Sequence, residues 1–111
     1  MAVLSEVAVA RVRRFCAQRI PPEARDEVRL EVEARGQTVT ILEVRAPWQG
    51  TGPWSRMKIA QLRYDSTNRT WTLYSSDRNG RWHRYPGVPP AEQLDGLLDE
   101  IAADTAGIFW G

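Results

Sequence analysis

The chain has one cysteine, one histidine and one lysine among its 111 residues, and each scarcity removes a class of chemistry. Cys16 has no second cysteine to pair with, so an internal disulfide is excluded, which fits a reducing compartment. Cys16 and His83 together cannot build a Cys/His zinc site within one chain. No apolar run approaches the roughly 18–20 residues that a membrane span needs. The start, Met1 to Glu6, lacks both a basic cluster and a long apolar stretch, so no signal peptide is expected. These absences predict a cytoplasmic protein with no metal and no cofactor. Gly50 and Gly52 lack the lysine and helix start of a phosphate loop.

What is present suits one domain over residues 1–111, with 42% apolar and 26% charged residues. All but one of the fifteen basic residues are Arg, yet the formal net charge is only +1. A near-neutral total argues against a dedicated nonspecific DNA binder and leaves room for a local basic patch.

Residues Leu4 to Arg19 have helical periodicity, with Ser5 as a cap and Ala8, Val9, Val12, Phe15 and Cys16 as the apolar stripe. Pro21-Pro22 stops that helix. Val28, Leu30 and Val32 then alternate with Arg29, Glu31 and Glu33 as a half-buried strand does. A turn at Arg35-Gly36 would set Val32 against Val39 and Leu30 against Ile41. Asn79-Gly80 predicts a two-residue hairpin turn with positive φ at both positions. In that register Ser76 faces His83 and Tyr74 faces Tyr85. The loop Ser66–Arg69 pairs Tyr64 with Trp71 and Leu62 with Leu73. One face then carries Ala60, Leu62, Tyr64, Trp71, Leu73 and Trp82; the other carries Gln61, Arg63, Thr70, Thr72, Tyr74, Ser76, His83 and Tyr85.

Pro89-Pro90 introduces a last helix in this reading, with Leu94, Leu97, Leu98 and Ile101 buried on an otherwise acidic surface. The tail Ile108-Phe109-Trp110-Gly111 is too apolar to stay in water and is expected to dock. The expected fold class is α+β: a helix, a five-stranded mostly antiparallel sheet and a helix, with both helices on one sheet face.

Several landmarks in fixed order resemble a bacterial family of small proteins, domain of unknown function 3024. They are Cys16-Ala17-Gln18-Arg19-Ile20-Pro21, Glu43-Val44-Arg45-Ala46-Pro47-Trp48 and Ile59-Ala60-Gln61-Leu62-Arg63-Tyr64. Trp71-Thr72-Leu73-Tyr74, Asp77 through Tyr85 and Gly107-Ile108-Phe109-Trp110-Gly111 complete the set. The resemblance implies membership but no activity and no catalytic residue.

The residues themselves offer three functional readings. Arg63, Tyr74, His83 and Tyr85 on one sheet face, with Arg78 and Arg81 at its rim, suit a protein-docking surface. That is the leading reading: a non-catalytic binding module for a protein partner or a second copy of itself. The same groups could stack bases and neutralise phosphates, making single-stranded nucleic acid the alternative. A distant third is a small hydrolase using Ser76 and His83, although Asp77 then falls on the opposite face and cannot orient the imidazole. The plain reading of every one of these residues is ordinary polar sheet surface. Glu31, Glu33, Asp95, Asp99 and Glu100 read as surface charge. Trp48 and Trp54 flank a Pro/Gly-rich loop; they form either a binding lip or a cover for the sheet margin, and the cover is preferred.

Overall fold

A serine cap starts the first element. In the computed structural model, which describes residues 5–110, the Ser5 hydroxyl accepts a hydrogen bond from Val7 N–H at 3.2 Å. Helix α1 then runs Glu6–Arg19 and buries Val9, Val12 and Cys16, with Ala8 and Phe15 at the margin. Leu4, the expected first helical residue, lies outside the described residues. Ile20 is extended, as a residue before proline must be, and a short 3-10 turn, Pro22–Ala24, leads into the sheet.

Five strands follow in sequence order and pair antiparallel with their chain neighbours: β1 (Val28–Arg35), β2 (Thr38–Arg45), β3 (Ser55–Asp65), β4 (Thr70–Ser76) and β5 (Trp82–Arg84). The β3–β4 register is the one expected, with Leu62 opposite Leu73 and Tyr64 opposite Trp71. The β1–β2 register differs from expectation by two residues: Val32 faces Ile41, Ala34 faces Val39 and Leu30 faces Glu43. Gly36, not Arg35, takes the positive φ of the turn, at 57°, because glycine has no Cβ to clash there. A slip of two leaves every side chain on its expected face. Between β2 and β3, Ile41 pairs with Ala60 but Leu42 pairs with Lys58, so Ile59 is the extra residue of a β-bulge.

The β4–β5 register differs by one residue, and that is a real correction. Ser76 faces Trp82, Ser75 faces His83 and Tyr74 faces Arg84. The loop holds three residues, Arg78 to Gly80, closed by the Asp77 N–H donating to the Arg81 carbonyl at 2.9 Å. Only Gly80 is left-handed, at φ 79°; Asn79 is not. The Asp77 carboxylate decides this outcome, accepting from Asn79 N–H at 2.8 Å and Arg81 N–H at 2.9 Å. A one-residue shift exchanges faces. Trp82 therefore joins Tyr74 on the outer face, while His83 and Tyr85 move to the helix side.

The chain returns along the sheet before its last helix. Ala91 exchanges two backbone hydrogen bonds with Trp71, 2.7 and 2.9 Å long, so Pro89 and Pro90 precede a β-bridge and not a helical turn. Helix α2 (Leu94–Ala103) buries Leu94, Leu97, Leu98 and Ile101, the expected stripe. Both helices share one core with Val39, Ile41, Leu62, Trp71, Leu73 and Tyr85, which places them on one face of the sheet. Basic α1 and acidic α2 meet at an exposed Arg11–Asp95 ion pair of 2.6 Å. The tail docks: Phe109 is buried against the Tyr85 ring, centroids 5.0 Å apart, and the Trp110 indole donates to the Ile101 carbonyl at 2.8 Å. Gly111 lies outside the described residues. No helix among them is long and apolar enough to cross a membrane.

Candidate interaction surface

With both helices on one side, the other sheet face carries no helix among the described residues. Alternation sends Arg63, Gln61, Thr40, Thr72 and Tyr74 outward together, because their partners across β2, β3 and β4 have the same parity. Arg63 lies over the Tyr74 ring, its guanidinium carbon 3.8 Å from the centroid. Arg63 Nε also donates to Gln61 Oε1 at 2.7 Å, and Gln61 Nε2 donates to Thr40 Oγ1 at 2.9 Å. Gln61 is buried, so this chain of bonds fixes the guanidinium from below. Beside it, Lys58 donates to the Gly80 carbonyl at 2.7 Å and sits 5.8 Å from the Trp82 ring centre.

Toward β1 the same face holds an ionic bridge. Arg56 donates to Glu31 at 2.7 Å and to Glu33 at 3.0 Å. Arg56 is on β3 and both acids are on β1, so its guanidinium passes over β2. Beneath that span Leu42 and Val44 are only 7% and 5% exposed, apolar residues on the face opposite the main core. Each pair is surface-exposed and worth little alone. Arg29 covers the Trp54 ring at 4.5 Å.

The predicted site residues separate into four places. Arg63 and Tyr74 are together on the outer face. Tyr85, expected beside them, is buried in the core. His83 is exposed near the hairpin turn and bonds Asp77 Oδ2 at 2.7 Å. Arg78 is in that turn. Trp48 is 91% exposed, whereas Trp54 lies back against Arg29, so the two tryptophans do not act as one lip. Trp82, Lys58 and Arg56 were missed as members of the outer face. Parity alone could have found Arg56 and Lys58 if the bulge at Ile59 had been anticipated.

Ser76 and His83 are not cross-strand partners. The Ser76 hydroxyl donates to the Asp77 carbonyl at 3.1 Å, and His83 stands opposite Ser75. Asp77, expected to face away, is the group that holds the imidazole. Hydrogen bonding from His83, then from Arg81 N–H, lowers the Asp77 carboxyl to about 2. Burial pushes the Cys16 thiol up to about 12, which keeps it protonated and poorly nucleophilic at neutral pH. Among the described residues, no group of three His, Cys, Asp or Glu side chains is placed to hold a metal ion.

A cleft of about 870 Å³ lies between the β2–β3 ends, the turn after β4 and the tail. Met57, Ile59, Ile108 and Phe109 give it apolar walls, and Glu43, Arg45, Asp77 and Arg78 are polar members of its lining. It contains neither Arg63 nor Tyr74, but Arg56 and Lys58 of the outer face also line it.

One carboxylate outside both regions has a clear structural role. Asp104, left-handed at φ 46°, closes α2 and accepts from the backbone N–H groups of Ile108, Phe109 and Trp110 at 2.8–3.0 Å. Burial raises its carboxyl, but these three bonds and the neighbouring Arg19 together outweigh that and lower it. Arg19 also lies over the Trp110 ring at 4.3 Å, tying the tail to α1.

The fold is thus an α+β sandwich of two helices on one face of a five-stranded antiparallel meander, with no helix on the other face among the described residues. The chain belongs to the family described as Domain of unknown function (DUF3024), which matches residues 2–111. No curated protein and no solved structure matches it.

Proposed function

We propose that this protein is a non-catalytic binding module that engages a protein partner through the sheet face without helices. The observation that carries the reading is the Arg63–Tyr74 stack, held at 3.8 Å by a buried Gln61. A guanidinium already ordered on a ring loses little conformational freedom when a partner docks on it. Arg, Tyr and Trp are the residues that dominate binding energy at protein interfaces, and Trp82 extends the patch. Cytoplasmic residence is part of the proposal, since it suits a single buried thiol.

Single-stranded nucleic acid fits less well for two physical reasons. Arg63 occupies the Tyr74 ring face that a base would need, and Glu31 and Glu33 stand on the same side of the sheet as the cations. Affinity capture from the native cell tests both readings. Arg63→Ala with Tyr74→Ala should remove most of a specific protein set while the variant stays folded by circular dichroism, and nuclease treatment should not. An undiminished set from the double variant rejects this face. Loss of binding with nuclease, together with a steep log-linear fall in affinity with salt, identifies a phosphate-bearing partner instead.

A further inference from the structure

We propose that two copies of this chain join through β1, each outer edge pairing antiparallel with the other to make one continuous sheet. The inference concerns the strand edge and stands independently of the outer-face reading. β1 ends the strand order, eight residues long, and no other described strand lies beyond it. A strand edge of that length is a template for pairing unless proline, a bulge, a cover or repelling side-chain charges block it, and β1 carries two Arg and two Glu whose signs an antiparallel mate can match. β1 contains no proline, and its ladder to β2 is uninterrupted.

The backbone fixes which residues can pair. Ala46 N–H donates to the Glu27 carbonyl at 2.8 Å, one step before the strand. Alternation then commits the backbone groups of Arg29, Glu31, Glu33 and Arg35 to β2 and turns those of Val28, Leu30, Val32 and Ala34 outward. A two-fold edge contact must join outward groups to outward groups, so only registers that keep side chains on matching faces are allowed.

Strand overlap selects among these, since only the register centred on Glu31 pairs all four outward residues, Val28, Leu30, Val32 and Ala34, with their counterparts. With Glu31 on the two-fold axis, Leu30 faces the partner's Val32 and Val28 faces the partner's Ala34. That makes one apolar row continuous with the helix-side core, where Leu30 and Val32 are only half-buried. On the other face Arg29 meets the partner's Glu33, twice by symmetry. The Glu31 pair at the centre has an Arg56 beside each carboxylate, already 2.7 Å away. A slip of two residues toward the C-terminus would instead set Arg29 against Arg35 and Glu31 against Glu33, like against like.

The axis position gives a register-specific test. Glu31→Cys should form a covalent dimer on mild oxidation, because directly opposed positions of an antiparallel pair have the spacing a disulfide needs. Glu33→Cys should not, since its symmetry mate lies about 13 Å away along the strands. Native Cys16 is buried and supplies the background control. Sedimentation equilibrium should show the wild type dimerising and Val32→Pro monomeric with its fold retained, because that N–H points away from β2. Glu33→Arg should weaken association roughly tenfold, and Arg29→Glu with Glu33→Arg should restore it. A wild type that stays monomeric, equal cross-linking of both cysteine variants, a dimeric Val32→Pro, or failure of the charge swap to restore association would each overturn the proposal.

Discussion

Asp104 shows how much of this small fold hangs on one side chain. Its carboxylate accepts three consecutive backbone N–H groups, and those bonds bring Phe109 onto Tyr85 and Trp110 onto Ile101. Asp104→Ala should cost more than about 1 kcal/mol, read as a lower urea midpoint, because hydrogen bonds to a charged acceptor are lost. Asp104→Asn should recover much of it, since Asn keeps an acceptor oxygen and tolerates the left-handed backbone. Equal midpoints for Ala and wild type would show that the tail docks without this carboxylate. Asp77 was read as a strand residue facing away from His83 and Asp104 as part of the acidic surface of the last helix, because spacing alone does not show which backbone N–H groups a carboxylate a few residues away will cap.

Asp77 sets a pH dependence of its own. Its carboxyl is lowered to about 2 from an ordinary 3.8, so its contribution to stability is present above the ordinary value. The contribution fades as pH falls from there through about 2, where the folded carboxylate takes up its proton. The stability difference between wild type and Asp77→Asn should therefore shrink across that acid window. A difference independent of pH down to 2 would place the stabilisation outside the charge.

At the scale of elements, the two hairpins show what sequence pattern does and does not determine. Alternating hydrophobicity defined the faces of β1 to β4 correctly, and a two-residue slip between β1 and β2 did no harm because parity survived. Asn79-Gly80 looked like a two-residue turn, yet the Asp77 side chain outcompeted it by satisfying Asn79 and Arg81 N–H in a longer loop. That single residue of register moved Tyr85 into the core and brought Trp82 out. The short β5, with Trp82, His83 and Arg84 all offering polar groups, has no apolar alternation strong enough to correct the error.

The turn itself is testable. Gly80→Val should lower stability by about 1 kcal/mol or more, because a β-branched side chain strains the left-handed backbone at φ 79°. Asn79→Ala should change little, since Asn79 is not left-handed. Comparable losses in both variants, measured by thermal or urea denaturation, would restore the two-residue turn.

The whole molecule is asymmetric: one sheet face supports a packed core, and the other holds ordered cations over rings. This division was legible from sequence, as was the helix–sheet–helix order, because both rest on periodicity. The membership of the outer face was legible only in part, with Arg63 and Tyr74 identified and Trp82, Lys58 and Arg56 found only once the register and the bulge were known. The Trp48 loop and the cleft beside Met57 are the competing surfaces, and each has an exposed reporter side chain of its own, Trp48 and Met57. Hydroxyl-radical footprinting of the captured complex distinguishes all three, since Trp, Tyr and Met side chains each report their own exposure. Oxidation of Tyr74 and Trp82 should slow on partner binding while Trp48 and Met57 react as in the free protein. Slowed oxidation of Trp48 or Met57 with Tyr74 and Trp82 unchanged would contradict the assignment of the outer sheet face.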